Sequence, residues 1–407
     1  MSRRLQLRHA SLVLLVLLAA AARTADAQVP APGRGLVPAP LETVRPGWTI
    51  SPAMEYAWGW DDNVLVVANP DQLVGDTLQI FNPLVEATYH GRRSEFSGRY
   101  SGAISLYRDL TTLNSFDQRL GATYRHALKP RLAMFVAGGA SASPTTELIE
   151  FVGVPFTRTG SYIQDVRGGV EAALTPRASL VVAGHLEHVS FDDQGLYAHL
   201  LRGGYGSGMR TAFRQRLTAR TAFTADYDLQ HAQVGLAHVP FTVHNADGGF
   251  ERQLTRAIYA DGAIGISFLG PSVLGPAKSG LNWRAGLISE SRRTHVDARY
   301  ARHFVPSYGF GGTMQDDDVS GRFVFQITRG FYSRAAASWR RSEPLTQSET
   351  RIRSRWVDAA FGYGTRAGIQ FELFWSTTRQ TVNQLNGELG RHQVGFHVIA
   401  TRPMRIR

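Results

Sequence analysis

The 407-residue chain contains no cysteine. Disulfides and thiolate metal sites are therefore excluded, and the fold must be held by a large hydrogen-bonded framework instead of covalent staples. Lysine is nearly absent, standing only at Lys129 and Lys278, so arginine carries the cationic character. Beyond its first residues the chain has no stretch near the roughly 18 consecutive apolar residues of a membrane helix, which excludes a helical integral membrane protein. A basic helix and a nucleic-acid recognition motif are also missing. The formal charge of +11 consequently points to no nucleic-acid partner.

What is present begins with an export signal. Arg3, Arg4 and Arg8 form a basic region, Ala10 to Ala22 an apolar run too short to span a bilayer, and Ala25-Asp26-Ala27 a small-residue cleavage site. Residues 1–27 are thus expected to be a secretory signal peptide. Removing its four arginines and one aspartate leaves 40 basic against 32 acidic residues, a surplus of eight. Residues 28–46, with Pro30, Pro32, Pro38, Pro40 and Pro46, are expected to be a semi-rigid periplasmic linker. Forty-one glycines, with many Tyr, Phe and Trp, suit strands and turns better than helices.

From residue 91 onward a short punctuation recurs, clearest at Leu174-Thr175-Pro176-Arg177. Versions of it stand at Leu128-Lys129-Pro130-Arg131, Leu217-Thr218-Ala219-Arg220, Leu254-Thr255-Arg256, Ile327-Thr328-Arg329-Gly330, Gly364-Thr365-Arg366 and Ala400-Thr401-Arg402-Pro403. Gly91-Arg92-Arg93-Ser94 and Ser291-Arg292-Arg293-Thr294 fill the gaps. The spacing of roughly 36 to 46 residues is that of an internal repeat. Pro, Gly and Thr or Ser at these points suit tight hairpin turns. The unit reads as strand, longer loop, strand, tight turn.

Between turns the hydrophobic period is two. Trp48, Ile50, Met54, Tyr56, Trp58 and Trp60 share one face, while Thr49, Ser51, Glu55 and Gly59 share the other. Phe96 to Leu106, Ile258 to Phe268, Val319 to Ile327, Ile369 to Trp375 and Val394 to Ala400 repeat the pattern over about 10 to 14 residues, long for a soluble strand and suited to a tilted membrane strand. Residues 131–143 and 178–189 are apolar on both faces. Two strands per interval give about 18 antiparallel strands, within 16 to 20. The loops, centred near 68, 112, 152, 194, 238, 273, 310, 347 and 385, leave room for neither a plug nor a long pore-narrowing insertion.

So many apolar faces exceed what one soluble sandwich core can hold, whereas lipid imposes no such limit. A closed transmembrane barrel over 47–407 satisfies every backbone group and turns apolar side chains outward. A soluble repeat such as a propeller is the competing architecture. Trp48, Trp58, Trp60, Tyr89, Tyr107, Tyr124, Tyr162, Trp339 and Trp375 stand near strand ends, where interfacial girdles form.

No chemistry stands out. Gly203-Gly204-Tyr205-Gly206-Ser207-Gly208 has the spacing of neither a nucleotide loop nor a nucleophile elbow. His185 and His188 point to opposite faces of a strand. Asp61-Asp62, Asp192-Asp193 and Asp316-Asp317-Asp318 read as solvated loop acids. No catalysis, metal or cofactor is expected.

Parity directs many charges into the lumen. The cations are Arg99, Arg119, Arg125, Arg167, Arg202, Arg210, Arg214, Arg216, Arg284, Arg299, Arg322, Arg334 and Arg340. Facing them are Glu171, Asp226, Asp228, Asp261, Asp297 and Glu372, with Glu55, Glu86, Asp165, Asp247, Glu251, Glu290 and Asp358. Cross-strand ion pairs that stiffen a polar wall account for this near balance better than a ladder guiding solutes. Arg202, Arg210, Arg214 and Arg216 form the one single-sign stripe. Many other arginines stand at the turns, where they can meet anionic lipid head groups.

The signal peptide, the Pro-rich segment and the Thr-Arg turns give a chain that resembles Gram-negative outer-membrane β-barrels of the porin-like type, the β-barrel porin-2 group among them. The resemblance covers residues 48–407 in architecture. It implies an outer-membrane location, lipid and the barrel-assembly machinery as partners, and passive diffusion of small polar solutes. An export pore for an anionic polysaccharide and a purely structural or adhesive barrel are the alternatives. Such barrels usually end in an aromatic residue read by the assembly machinery, whereas this chain ends Met404-Arg405-Ile406-Arg407.

Overall fold

The computed structural model describes residues 46–144, 157–193, 201–235, 239–273, 275–309, 311–346, 350–365, 368–383, 387–402 and 404–406. The expected signal peptide and most of the linker lie outside them, as do the centres of the loops near 152, 194, 238, 310, 347 and 385.

Alternation becomes long strands. The first are β1 (Gly47–Asp61), β2 (Asp76–His90), β3 (Ser94–Tyr107), β4 (Ser115–Lys129), β5 (Leu132–Ser143) and β6 (Ser161–Ala173). The wall continues through β7 (Ala178–Phe191), β8 (Gly204–Arg216), β9 (Thr221–Val234), β10 (Val239–Gln253), β11 (Ile258–Leu269) and β12 (Lys278–Glu290). It ends with β13 (Thr294–Pro306), β14 (Thr313–Gln326), β15 (Phe331–Pro344), β16 (Ile352–Gly364), β17 (Ile369–Val382), β18 (Gly387–Thr401) and the short β19 (Met404–Ile406).

Each long strand pairs antiparallel with the next, and the free edge of β1 takes β18, with Trp58 opposite Phe396. β19 resumes β18 on that same edge, placing Met404 opposite Ile50. The result is a closed up-and-down barrel of 18 strands, in which closure removes the sheet edge and satisfies the backbone.

The repeated punctuation forms hydroxyl-capped turns. Thr175 Oγ1 accepts from the N–H groups of Arg177 (3.1 Å) and Ala178 (2.9 Å). Thr218, Thr255 and Thr328 do the same two and three residues on, and Ser291 replaces Thr in the same role. This is why a Thr or Ser recurs there: its hydroxyl offers an acceptor to two amides of the tight hairpin, which in the Thr175 turn the backbone serves only at Ala178, through Thr175 O at 3.3 Å. All these turns, with the start of β1, lie at one end of the barrel, and the longer loops lie at the other.

Register separates the two faces. Ile264, Leu373 and Leu186 are 62%, 65% and 59% exposed on the outer parity, which a water-facing wall of this size would not tolerate. Trp48, Trp58, Trp60, Tyr124, Tyr162, Trp339 and Trp375 are exposed on that face too. Tyr107 departs from the girdle expectation: it is buried and turned inward by the parity of β3.

Two further expectations need correction. Asp316, Asp317 and Asp318 are not loop acids, because β14 begins at Thr313 and carries them within its ladder with β15. The loop end is also narrowed without a long insertion. The ladder between β12 and β13 stops at Trp283 and Arg302, and the freed end of β13 turns inward. There Asn245 Oδ1 accepts from the Phe304 N–H (3.3 Å) while its Nδ2 donates to Phe304 O (3.1 Å).

Candidate functional site: the lumen

The inward end of β13 and the residues 307–309 that follow it act as a strap across the lumen. Phe304 and Tyr308 are buried against Ile163, Val189, Val234, Phe241, Val243 and Leu269, a small apolar core inside an otherwise polar channel. The Tyr308 hydroxyl donates to Glu187 Oε1 on β7. Burial, with the Glu187 carboxylate beside it, pushes that hydroxyl well above the usual tyrosine range, so it stays protonated as a donor. The strap is pinned through its backbone as well, since Arg202 N–H donates to Gly309 O and Gly203 N–H to Tyr308 O, both at 2.9 Å. Gly203 has φ +63°, a left-handed conformation that a glycine adopts without strain.

A second inward contact narrows the same end. The Arg158 guanidinium, from the β5–β6 connection, donates to Val64 O (3.1 Å), the Tyr107 hydroxyl (3.1 Å) and Leu113 O (2.8 Å). It ties three loops together over buried Val64 and Val66.

Below this the lumen carries charge in clusters that skip strands. Arg125 on β4 meets Glu171 on β6 at 3.0 Å, and Arg214 on β8 meets Glu251 on β10 at 2.8 Å. Asp226 on β9 takes Arg210 at 2.9 Å on one oxygen and Arg284, from β12, at 2.5 Å on the other. Arg334 on β15 pairs with Asp358 and with Glu372 (3.1 Å). Glu372 also accepts from the Tyr332 hydroxyl (2.6 Å) and faces His397 at 2.8 Å. Register puts all of these side chains on the face opposite the exposed apolar set, and Arg284 reaches Asp226 across two intervening strands, so that face is the lumen.

The other residues proposed from parity are placed as follows. Arg99, Arg119, Arg167, Arg216, Asp228, Asp261 and Arg322 share the register of those lumen residues. Asp297 also does, and it holds Arg299 at 3.0 Å. Arg340 pairs with Asp318 at 2.8 Å. Arg99, Arg216 and Arg322 are exposed and make no ion pair among the described residues. Arg202 is the exception: it precedes β8 in the loop, cut off from the strand's alternation by Gly203. The single-sign stripe is likewise not one electrostatically, because Arg210 and Arg214 are matched by acids from β9 and β10.

Aromatic lumen residues escaped the parity reading. Trp356 lies on the parity of Asp358, and Phe374, between Glu372 and Ser376, packs its ring 6.1 Å from that of His397. The signal was there in the sequence: each stands two residues from a lumen acid. Ser207 faces outward opposite His231, but His231 Nδ1 bonds Thr242 Oγ1 at 3.1 Å. Among the described residues no three His, Asp or Glu side chains converge as a metal site.

No protein-family model matches the chain, and no curated protein matches it. Several solved structures are similar to it. OccAB3 of Acinetobacter baumannii is 11% identical, with 88% of this chain and 99% of that one covered and a TM-score of 0.46. OpdK of Pseudomonas aeruginosa, determined with vanillate, is 10% identical over the same shares, also with a TM-score of 0.46. OprD of Pseudomonas aeruginosa is 12% identical, covering 88% of this chain and 96% of that one, with a TM-score of 0.43.

Proposed function

We propose that this barrel resides in the bacterial outer membrane and acts as a passive channel for small polar solutes. The observation that carries this reading is the reversed polarity of the wall. Apolar side chains such as Ile264 and Leu373 are exposed outside, while Arg210, Asp226, Arg284, Arg334 and Glu372 are gathered inside. Lipid stabilises the first set and water the second. The strap at Tyr308 and the Arg158 tie narrow one end, which favours solutes of modest size over polymers. The experiment is single-channel conductance of the refolded protein in a planar bilayer. Ohmic steps that fall as neutral polymers of increasing size are added support a diffusion channel. A silent, heat-modifiable barrel would leave a structural role, and block by an acidic polysaccharide would favour export.

A further inference from the structure

The outer face of β15, β16 and β17 carries a cationic cluster that the lumen does not explain. Arg341, Arg353, Arg355 and Arg379 all lie on the outward parity, the same parity as Trp339, Val357 and Trp375. Each stands within four residues of the loop end of its strand. Register brings like charges face to face, with Arg341 opposite Arg353 and Arg355 opposite Arg379. Directly opposed like charges destabilise a sheet, so such an arrangement calls for anions. Among the described residues the acids are fewer than the cations: Glu388 serves both Arg355 (3.3 Å) and Arg379 (3.7 Å), Glu343 serves Arg341 (2.5 Å), and Asp317, opposite Arg341, is taken by Arg302 (3.6 Å). Arg353 is exposed and has no acid partner among the described residues.

The cluster contrasts with the far wall, and the next outward arginine at this height, Arg302 on β13, is matched by Asp317 (3.6 Å). At the same height on β6 to β10 the outward positions hold Gln164, His188, Ser207, His231 and Thr242, which are neutral or weakly basic. Immediately toward the middle of the wall stand exposed Trp339 and Trp375, an aromatic pair suited to the boundary between acyl chains and head groups. Four guanidiniums above such a boundary match a ligand with apolar tails and phosphate groups at its head, since guanidinium binds phosphate oxygens bidentately.

We propose that this sector is a binding site for the phosphorylated glucosamine head of lipid A, the anionic glycolipid of an outer leaflet. The site rests on the outer-membrane reading with the loop end outward. Arg353 supplies the uncompensated charge, Arg341, Arg355 and Arg379 flank it, and Trp339 and Trp375 lie against the acyl chains.

The test measures retention of purified lipid A by the detergent-refolded full chain, using native mass spectrometry, beside bilayer conductance of the same preparation. Two phosphates should matter, so monophosphoryl lipid A and phosphatidylglycerol should be retained more weakly. R353S removes a side chain with no acid partner among the described residues and should leave folding intact while weakening lipid A retention about fivefold, as expected for one interfacial arginine. The R341S/R353S/R355S/R379S variant should lose at least about tenfold. E388Q should act in the opposite direction, because it frees Arg355 and Arg379, and should strengthen retention. Equal retention by wild type, R353S and E388Q, or retention indifferent to the phosphates, overturns the site even if the barrel conducts. Retention with the predicted signs in a barrel that never conducts upholds the site and removes only the channel.

Discussion

Arg284 holds Asp226 at 2.5 Å although two strands separate β12 from β9. Three inter-strand spacings measure roughly 14 Å along a wall, so the pair closes only because both side chains converge across a concave surface. The same guanidinium lies 3.1 Å from Asp247, and Asp226 also takes Arg210. Two cations and two acids are thereby matched within one cluster, and Asp226 is its buried hub. The net charge of the chain therefore does not describe the field in the channel. That field depends on which charges remain unmatched, and Arg99, Arg216 and Arg322 are exposed cations toward the turn end without an ion pair among the described residues.

Selectivity should follow from this. Replacing Asp226 with Asn removes the acid between Arg210 and Arg284 and leaves two cations with weakened partners, so the reversal potential in a salt gradient should move toward anions. The shift should shrink at high salt as the Debye length falls from about 10 Å at 0.1 M to about 3 Å at 1 M. Stability should fall by about 2 kcal/mol, measured by urea unfolding in detergent. R210S/R214S/R216S should move the potential the other way, because it exposes Asp226 and Glu251. A wild type with strong anion preference that this triple substitution left unchanged would show that these clusters do not set the field.

Most of the wall was legible because its physics is local. A period of two from Trp48 to Trp60 and the Thr or Ser that caps most of the turns are properties of a few consecutive residues, and they yield 18 strands without tertiary information. The shared inward register of Arg210, Asp226, Arg334 and Glu372 rests on the same local alternation. Arg202 was misplaced because Gly203, at positive φ, breaks the alternation just where a continuous strand was assumed. The strap was invisible for a different reason. Its cause is the early end of the β12–β13 ladder and the fit of Tyr308 against Glu187, a contact 121 residues away in sequence. Loop length alone says nothing of such an inward turn. The outward arginines of β15 to β17 could have been found, since Arg353 and Arg355 sit on the parity of Val357 and Phe361.

Topology can be checked on cells. Asp71 is exposed in the β1–β2 loop, and Ala219 is exposed in a tight turn at the opposite end. In an outer-membrane barrel the longer loops face outward. A cysteine introduced at Asp71 should react with an impermeant maleimide on intact cells, whereas one at Ala219 should react only after the outer membrane is permeabilised. The opposite pattern would invert the barrel.

The turn hydroxyls should be measurable contributors. T175A leaves the amides of Arg177 and Ala178 without the acceptor that lies 3.1 and 2.9 Å away. Both are near water at an exposed turn, so the loss should be about 1 kcal/mol. Thr218, Thr255 and Thr328 sit in separate hairpins, and combining their Ala variants with T175A should give nearly additive losses in the midpoint of urea unfolding. T175S keeps the hydroxyl and should restore most of the stability.

The strap should control how much current the channel passes. Tyr308 fills its place by ring burial and by its hydroxyl on Glu187, so Y308F should loosen the contact without emptying it and Y308A should do both. We expect increased gating noise for Y308F and a larger open-state conductance for Y308A, with removal of the buried ring costing about 3 kcal/mol. A second route tests the same contact from the opposite wall. A Cβ on Gly206 would stand 2.1 Å from the Tyr308 hydroxyl oxygen and 2.6 Å from Glu187 Oε1. In a close-packed site neither neighbour can absorb that overlap without moving, so G206A should displace the strap and raise conductance although it adds bulk to the lumen wall. Heat-modifiable migration confirms that each variant still forms the barrel. A G206A channel with lower conductance would mean that added bulk simply narrows an opening which the strap does not govern.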